Sequence, residues 1–398
     1  WAVIPADPWK SDLGVPRDLA EPVLAGRSAL RLTLDRLAQT KEIEGIAIVT
    51  HNVGDTAKAA GLDPSGGRAG KLAVRFIEAD AETYIDRATA IRGARAFSAR
   101  SWRGGVAGWT AYDELLHPEA TLEALETVGA DAALLVGADW GLIDPSLCDE
   151  AAARFKNFPT SHKLVFSQAA VGLSPVLVEK SIVRSIVQKK PEAGSFASIG
   201  SMLGYLPVQP SSDPIAGTGC IHVHPSVRDL GERLTFDSRS RQELLLRALK
   251  DHDALKMDAK QIAEAVSGVA FTASAPEHLT LELVSVDGRM LDAEHAIALI
   301  RQATQLREDV ALTLTAEITS QDMADVLEHP ELARIVGAAK GAGILAVHVR
   351  TPALAGESKL IGLTELGVDV ISVDYVSDRE STCELLTGRQ GFAAAHAA

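Results

Sequence analysis

The sequence has few cysteines, few aromatic residues and no long apolar run. Its 398 residues include three cysteines, which are Cys148, Cys220 and Cys383. Thiols spaced so widely form neither a disulfide framework nor a Cys-x-x-Cys zinc motif, and they suit a reducing compartment. No apolar stretch reaches the roughly 18 residues that a membrane span needs, and no signal-peptide pattern is visible. We therefore expect a cytoplasmic protein with no membrane partner.

The charge and composition limit the classes of ligand. Acidic residues outnumber basic ones and give a formal net charge of −14, which argues against a nucleic-acid-binding surface. Phosphate ligands stay open, because a bound metal ion can supply local positive charge. With 46% hydrophobic and 23% charged residues, the chain has ample material for a globular core. Its length predicts two or three domains.

Strand and helix patterns alternate along the first half of the chain. Short apolar runs predict strands, while amphipathic stretches and runs opened by proline predict helices. The expected strands are 2–4, 45–50, 74–78, 132–136 and 163–169, and the expected helices are 29–38 (capped by Ser28), 84–100, 111–128, one that starts at Pro145, and 175–188. This alternation predicts an α/β fold with a mostly parallel, doubly wound sheet.

The pattern changes after Pro191, and a second series of strands and helices follows. We expect a first domain of residues 1–251, a connecting segment of residues 252–278 and a second domain of residues 279–398. The expected elements are strands at 221–223, 234–236, 279–284, 310–315, 344–350 and 368–373, and helices at 240–249, 258–267, 293–305, 330–340 and 357–365. Four βα units are half of a (β/α)₈ barrel, so the second domain is expected to be a partial barrel.

Residues 130–155 (ADAALLVGADWGLIDPSLCDEAAARF) carry the clearest site pattern. A buried strand is followed by Asp139, a short loop and Pro145 at the first position of a helix, where a missing N–H costs nothing. Ligands of open α/β sheets bind at the carboxyl ends of strands, and a carboxylate there suits a divalent cation held against phosphates. On the residues alone, Asp139 is either such a ligand or a loop acid that caps nearby N–H groups.

Other short patterns point to weaker alternatives. Cys220, His222 and His224 form a Cys-x-His-x-His pattern that would face one side of a strand, so a metal site and ordinary placement both stay open. Residues 64–71 (PSGGRAGK) lack the strand–loop–helix context of a P-loop and are interpreted as a surface loop. No GxGxxG follows a strand and no GxSxG occurs, which disfavours nicotinamide-binding and hydrolase folds.

Residues 1–250 resemble the sugar-activating cytidylyltransferases, especially the spore-coat polysaccharide cytidylyltransferase-like group with a GT-A type, nucleotide-diphospho-sugar transferase-like fold. GADWGLIDP at 137–145 is similar to their GDCPLIDP segment. IPADPWKSDLGVPRDL at 4–19 resembles their opening segment with a basic glycine loop, and SWRGG at 101–105 resembles their Arg-Gly step. TFDSRSRQELL at 235–245 is similar to their terminal acidic segment. The resemblance implies a Mg²⁺-dependent nucleotidyltransferase that binds a nucleoside triphosphate, with CTP favoured, and a sugar-like or small acidic acceptor.

The resemblance also assigns roles to particular residues. Asp139 and Asp237 would hold Mg²⁺. Lys10, Arg17 and the backbone near Gly14 would bind the triphosphate. The same two basic residues could equally belong to a solvated loop, and Asp237 could be a helix N-cap.

Arg103 would contact the substrate, and a loop ion pair is the alternative for it. A non-catalytic nucleotide-binding or scaffold protein, descended from such an enzyme, is the alternative function. The assembly is left open between a monomer and a homodimer.

The second domain resembles the first half of a radical SAM barrel, as in spiro-SPASM type proteins. The similar segments are HLTLELV at 278–284, ALTLTAEI at 311–318 and GVDVISVDYVSD at 367–378. The loop after the first of these has no cysteine, and Cys383 is alone and distant. A [4Fe–4S] cluster of this type needs three local thiolates, so no iron–sulfur cluster is expected. This argues against a third alternative, a radical SAM enzyme.

Overall fold

The computed structural model describes residues 1–7, 19–97, 113–193, 215–269, 276–307, 309–319, 322–353, 357–388 and 392–393. The chain divides into two compact units, Trp1–Thr272 and Ala273–Ala398. Among the described residues, none of the helices is both long and apolar enough to cross a membrane.

The first unit alternates strands and helices along most of its length. Its described strands are β1 Ala2–Pro5, β2 Pro22–Leu24, β3 Arg27–Ser28, β4 Gly45–Thr50, β5 Gly67–Ala69, β6 Leu72–Glu78, β7 Ala132–Leu135, β8 Leu164–Ser167, β9 Val176–Glu179 and β10 Cys220–Ile221. Its described helices are α1 Ala29–Leu37, α2 Val53–Ala60, α3 Ala81–Ala96, α4 Pro118–Val128, α5 Pro145–Asn157, α6 Lys180–Ala193, α7 Pro225–Arg228, α8 Arg239–Leu249 and α9 Ala259–Ser267, with a 3₁₀ turn at Asp113–Leu115.

The described strands of this unit form one large, mostly parallel sheet in the order β10-β8-β9-β7-β1-β4-β6-β5, beside a small β2-β3 hairpin. Strand β1 is parallel to both β4 and β7, and β4 is parallel to β6. Strand β9 runs antiparallel between β7 and β8, and β5 is antiparallel to β6. The predicted mostly parallel α/β sheet is therefore confirmed. The chain winds from β1 through β4 to β6 on one side and returns to β7 on the other.

Local signals in the sequence explain several helix starts. The Ser28 hydroxyl accepts a hydrogen bond from the Arg31 N–H at 3.0 Å and caps α1, as predicted. Asp144 caps α5 by accepting from the Ser146 N–H at 2.7 Å, with Pro145 at the first helical position. Strand β4 is buried at all six positions, which suits a parallel strand covered on both faces.

Two expected elements of the first unit are different in the structure. Residues 175–188 were expected to be one helix, but the stretch contains strand β9 followed by the start of α6. The β-branched Val176 and Val178 are fully buried between β7 and β8, where a strand fits and a helix does not. Residues 234–236 were expected to be a strand, but they are irregular.

Helix α9, expected in a connecting segment, packs into the core of the first unit. Its residues Ile262, Ala263 and Val266 are buried in that core. Asp258 and Gln261 form a capping box at its start. A helix with an apolar stripe is stabilised mainly by such burial, so α9 is part of the first unit.

The second unit is a simple run of βα units. Its described elements are β11 His278–Val284, α10 Ala293–Leu306, β12 Ala311–Ala316, a 3₁₀ turn at Val326–Glu328, α11 Leu332–Gly341, β13 Ala346–Thr351, α12 Glu357–Glu365, β14 Val370–Val373 and α13 Glu380–Thr387. The strands pair in parallel in the order β11-β12-β13-β14. Sequential parallel order is what a partial (β/α) barrel requires. The sequence predicted each strand and the first three helices but missed α13.

Candidate functional site

The strand order of the large sheet predicts a ligand crevice at one edge. From β1 the chain adds β4 and β6 on one side and then β7 on the other, so the strand order reverses between β1 and β7, which are parallel neighbours at the centre of the sheet. In open α/β sheets, ligands bind outside the carboxyl ends of strands at such a reversal. Asp7 follows β1 and Asp139 follows β7, and their exposed fractions are 8% and 1%. Both acids therefore lie at the position where this topology predicts a ligand.

A tight turn fixes Asp139 directly after β7. The Trp140 N–H donates to the Gly137 carbonyl at 3.1 Å, and the Ile143 N–H donates to the Trp140 carbonyl at 2.9 Å. A Cβ at Gly137 would lie 2.4 Å from the Trp140 ring and 2.8 Å from the Asp139 carboxylate. Only glycine fits this close approach, so Gly137 and the buried Trp140 together set the position of the acid.

A buried arginine holds the rest of this loop. Arg36 on α1 is 1% exposed. Its Nε donates to the Ile143 carbonyl at 2.8 Å, and its Nη1 donates to the Leu255 carbonyl at 2.8 Å. Burial lowers the pKa of Arg36, partly offset by the charge of Asp144. The Asp144 carboxylate in turn accepts from the Ala259 N–H of α9 at 2.6 Å. The loop after β7 is therefore tied to α1 and α9.

The irregular segment at 233–237 brings Asp237 to Asp139. The Phe236 N–H donates to the Asp139 carbonyl at 3.1 Å, and the Leu234 N–H donates to the Val171 carbonyl at 2.7 Å. These two bonds join the segment to the loops after β7 and β8. The sequence had predicted a strand at 234–236 instead. The structure thus brings together two of the residues that the sequence assigned to the site, Asp139 and Asp237.

Arg233 lies beside these two acids, and the sequence did not predict it. Its Nη1 and Nη2 donate to the two Glu114 oxygens at 3.1 and 2.5 Å. Its Nε lies 3.6 Å from Asp237 Oδ2. Burial alone would lower the pKa of Arg233, but the charge and hydrogen bonds of Glu114, and the charges of Asp237 and Asp139, raise it above its ordinary value. We call Arg233, Glu114, Asp139 and Asp237 the Arg233 cluster; each is at most 5% exposed.

The donor set of this cluster does not suit Mg²⁺. Magnesium prefers octahedral oxygen ligands and keeps several water molecules. Asp237 Oδ1 instead accepts from Arg241 Nη1 at 2.7 Å, and Oδ2 faces Arg233. Within the described part of the chain, no group of three or more His, Cys, Asp or Glu residues is arranged to hold a metal ion. Mg²⁺ at Asp139 and Asp237 stays a prediction from the sequence, and it competes with a guanidinium that is already there.

An aromatic stack extends the same edge toward β6. The Tyr84 and His117 rings stack at a centroid distance of 4.2 Å, and His51 lies 5.3 Å from Tyr84 on the other side. Tyr84, His117 and Arg87 line a cavity of about 80 Å³. Ligand pockets usually measure about 300–1,000 Å³, so this cavity alone is too small for a nucleotide.

The stack is joined to the Arg233 cluster through Arg87. Its Nε donates to the Leu116 carbonyl at 3.0 Å, and its Nη2 donates to the Asp113 carbonyl at 3.2 Å. These bonds hold the 3₁₀ turn that carries Glu114. Burial lowers the pKa of Arg87, and the charges of Asp113 and Glu119 oppose this. The turn that carries Glu114 is therefore bound by Arg87 on one side of the Arg233 cluster.

The remaining residues that the sequence assigned to the site lie outside the described residues. These are Lys10, Gly14, Arg17 and Arg103. The first three follow β1 in the sequence.

The other patterns singled out in the sequence have ordinary roles. Strand β10 ends at Ile221, so the Cys-x-His-x-His pattern does not occupy one strand face. His222 contacts the Gln168 side chain at 3.2 Å, and His224 caps α7. The glycine-rich stretch at 64–71 contains β5, which forms a hairpin with β6, so no helix follows it as in a P-loop.

Comparisons with known proteins give distant structural likenesses only. No protein-family model matches the chain, and no curated protein matches it. A cytidylyltransferase from Leptospira borgpetersenii serovar Hardjo-bovis (strain JB197) is 15% identical, with a TM-score of 0.45 over 67% of this chain and 92% of that one. CMP:2-keto-3-deoxy-manno-octonic acid synthetase complexed with CTP is 11% identical, with a TM-score of 0.32 over 56% and 88%. The 4-diphosphocytidyl-2C-methyl-D-erythritol synthase from Anaerococcus prevotii DSM 20548 is 13% identical, with a TM-score of 0.34 over 61% and 92%. Likenesses with such low scores carry no argument, so the site is argued from its own residues.

The sequence held one faint signal for the missed arginine. Arg233, Asp237 and Arg241 are spaced four residues apart, and both arginines pair with the acid between them. Such spacing usually indicates exposed ion pairs on one helix face. Here the first arginine precedes the helix and is buried, and its main partner Glu114 lies 119 residues away. Only the folded chain brings these groups together.

Proposed function

We propose that the first unit binds a nucleoside triphosphate in the crevice between the ends of β1 and β7, as a nucleotidyltransferase-like domain. The observation that carries the proposal is the reversal of strand order at β1, because ligands of open α/β sheets bind at such a switch point. The segment that continues from Asp7 contains Lys10, Gly14 and Arg17. Basic side chains and free backbone N–H groups are suitable ligands for a triphosphate.

We propose further that CTP is the nucleotide and that a sugar-like or small acidic molecule accepts the nucleotidyl group. This part rests on the similarity of residues 137–145 to the cytidylyltransferase segment. An acceptor oxygen would attack the α-phosphorus and form a new O–P bond. The bond from that phosphorus to the bridging oxygen would break, and pyrophosphate would leave. Lys10 and Arg17 would stabilise the charge on the phosphates, and Arg103 would contact the acceptor.

A second candidate is nucleotide binding without transfer. The observation that favours it is Arg233, whose guanidinium binds Glu114 and lies 3.6 Å from Asp237 at the same edge of the sheet. Both candidates predict nucleotide binding in the β1–β7 crevice. Pyrophosphate release in the presence of acceptors distinguishes them, because only transfer produces it.

A thermal-shift screen of the full chain with CTP, UTP, GTP and ATP tests the proposal. A nucleotide at about 100 times its dissociation constant adds about 2.7 kcal/mol to the free energy of unfolding and raises the melting temperature. We expect CTP to give the largest rise. If none of the four nucleotides raises the melting temperature, nucleotide binding is disproved.

Two matched variants locate the binding site. Lys10→Ala removes a cation of the segment that follows β1 in the sequence, to which the resemblance assigns triphosphate binding, and is expected to reduce the shift. Lys71→Ala removes an exposed cation just before β6, at the opposite edge of the sheet, and is expected to leave the shift unchanged. An equal loss in both variants would mean that the nucleotide binds through general charge and outside the crevice.

A further inference from the structure

The Arg233 cluster buries three carboxylates and one guanidinium. Arg233 contacts the Glu114 and Asp237 carboxylates, the charge of Asp139 acts on it as well, and Arg241 adds a second, partly exposed guanidinium at Asp237. Buried carboxylates are ordinarily balanced by a cation, because buried unpaired charges are costly. A cation must therefore balance the acids of this cluster.

Arg233 is fixed in this cluster by the backbone. Leu234, the next residue, donates its N–H to the Val171 carbonyl at 2.7 Å, and Phe236 donates to the Asp139 carbonyl at 3.1 Å. Gly172 has a φ of +98°, and a Cβ there would lie 2.2 Å from the Leu234 carbonyl oxygen. The backbone that follows the arginine is therefore held closely against the loops after β7 and β8.

The guanidinium donates directed hydrogen bonds to Glu114 and forms an ion pair with Asp237. Glu114 receives two parallel bonds from Arg233, and each oxygen of Asp237 faces an arginine. Arginine is suited to buried ion pairs because its planar fork matches a carboxylate. A divalent cation at these acids would lie within a few ångströms of Arg233, where like charges repel strongly, and expelling Arg233 would leave Glu114 buried without its partner.

We propose that Arg233 takes the role of the divalent cation at this edge of the sheet. A positive charge of the chain itself lies beside Asp237 and Asp139, where the sequence predicted a divalent cation, and phosphate ligands in the β1–β7 crevice bind without a metal ion. The statement on phosphate ligands rests on the proposed function, whereas the lack of a divalent cation at Asp139 and Asp237 is tested without any nucleotide.

Binding of Mn²⁺, followed by the electron paramagnetic resonance signal of the free ion, tests the inference. Wild type and Asp139→Asn are titrated side by side. Weak Mn²⁺ binding elsewhere on this acidic protein is the same in both, so the difference between the two titrations reports the Asp139 site alone. We expect the two titrations to coincide. A bound Mn²⁺ ion in the wild type that Asp139→Asn removes would overturn the proposal.

A variant without the internal cation gives the converse test. Arg233→Met is expected to gain one Mn²⁺ site, and Mn²⁺ is expected to raise its melting temperature but not that of the wild type. The double variant Arg233→Met with Asp139→Asn should lose the gained site. Folded Arg233→Met that binds no more Mn²⁺ than the wild type would contradict the proposal. If this variant does not fold, the comparison of wild type with Asp139→Asn decides alone.

Discussion

The two parallel sheets place their polar side chains differently. In the first unit, charged residues are buried together at the carboxyl edge, where Arg233 contacts Glu114 and Asp237. In the second unit, a row of hydrogen-bonded side chains crosses one face, with one residue on each strand. The row is His278, Thr313, His348 and Ser372, and its three contacts measure 2.7, 3.3 and 2.9 Å.

Strand order explains this difference. The first sheet reverses direction at β1 and so opens a crevice at one edge. The described strands of the second sheet follow one another without reversal, and its apolar residues, such as Leu281, Leu314 and Val349, form a core on one face. Polar residues of the second sheet are therefore spread over the opposite face. Similar βα units therefore form a candidate site in the first unit, where the strand order reverses, and not in the described strands of the second unit, where it does not.

The largest expected effect is the loss of the internal cation in the first unit. Arg233→Met removes the guanidinium that binds both Glu114 oxygens and one of the two arginines beside Asp237, which should lower the free energy of unfolding by about 3–5 kcal/mol. The control is Arg228→Met, which breaks an exposed ion pair with Asp229 and should change little. Urea denaturation measures both. Similar small losses in the two variants would mean that the cluster does not depend on Arg233.

A smaller loss of stability is expected where one carboxylate accepts hydrogen bonds from two helices. Asp144 accepts from the Ser146 N–H of α5 and from the Ala259 N–H of α9, so Asp144→Ala should cost about 2–3 kcal/mol. In the second unit, Asp292 caps only its own helix, through the His295 N–H, and Asp292→Ala should cost about 0.5–1 kcal/mol. Thermal denaturation compares the two. A loss in Asp144→Ala no larger than in Asp292→Ala would show that the bond to α9 adds no stability.

Substitution of two glycines distinguishes the cost of backbone strain from the cost of a close contact. Both have a positive φ, +98° at Gly172 and +69° at Gly129, but a Cβ at Gly129 would meet nothing within 4 Å. Gly129→Ala should therefore cost about 1 kcal/mol. Gly172→Ala should cost roughly 1–3 kcal/mol more, because Leu234 must move. Denaturant titration measures the difference, and equal losses would mean that the segment before Arg233 is not held at Gly172.

The last expected effect concerns the second unit and is confined to acid pH. Burial, followed by the charges of His278 and Arg350, lowers the pKa of His348 to about 4, and only Asp374 opposes this. A histidine with a lowered folded pKa stabilises the fold above its unfolded pKa of about 6.5, and this contribution is lost as pH falls toward 4. Nuclear magnetic resonance titration of the imidazole should show the low midpoint. In His348→Asn, the loss of stability between these pH values should be smaller, and an unchanged loss would assign it to other groups.

Sequence reasoning succeeded where the determining contacts are local. The strand at 45–50 and the cap at Ser28 were predicted because periodicity and capping depend on neighbouring residues. It failed for β9, since a proline followed by apolar residues also fits a helix start. The stretch is a strand because it pairs with both β7 and β8, which lie elsewhere in the sequence. Helix α2, which begins after the Asn52 cap, was missed because the stretch is short.

The candidate site was predicted in part for the same reason. Asp139 was identified from the strand and loop around it, and the resemblance added Asp237. Arg233 was not identified, because its main partner Glu114 lies 119 residues away in the chain. In addition, the segment that follows Arg233 is held by backbone hydrogen bonds to the loops after β7 and β8. Charge balance in a buried cluster is a property of the fold, and no local pattern encodes it.

The most direct test of the central claim is the affinity of the full chain for its nucleotide, measured by calorimetry in Mg²⁺ and again in EDTA. If Arg233 takes the place of the divalent cation beside Asp139 and Asp237, the nucleotide should bind in both buffers with dissociation constants that agree to within a factor of about three, which is less than about 0.7 kcal/mol. Binding that needs Mg²⁺, with affinity falling by a factor of ten or more in EDTA, would contradict the account.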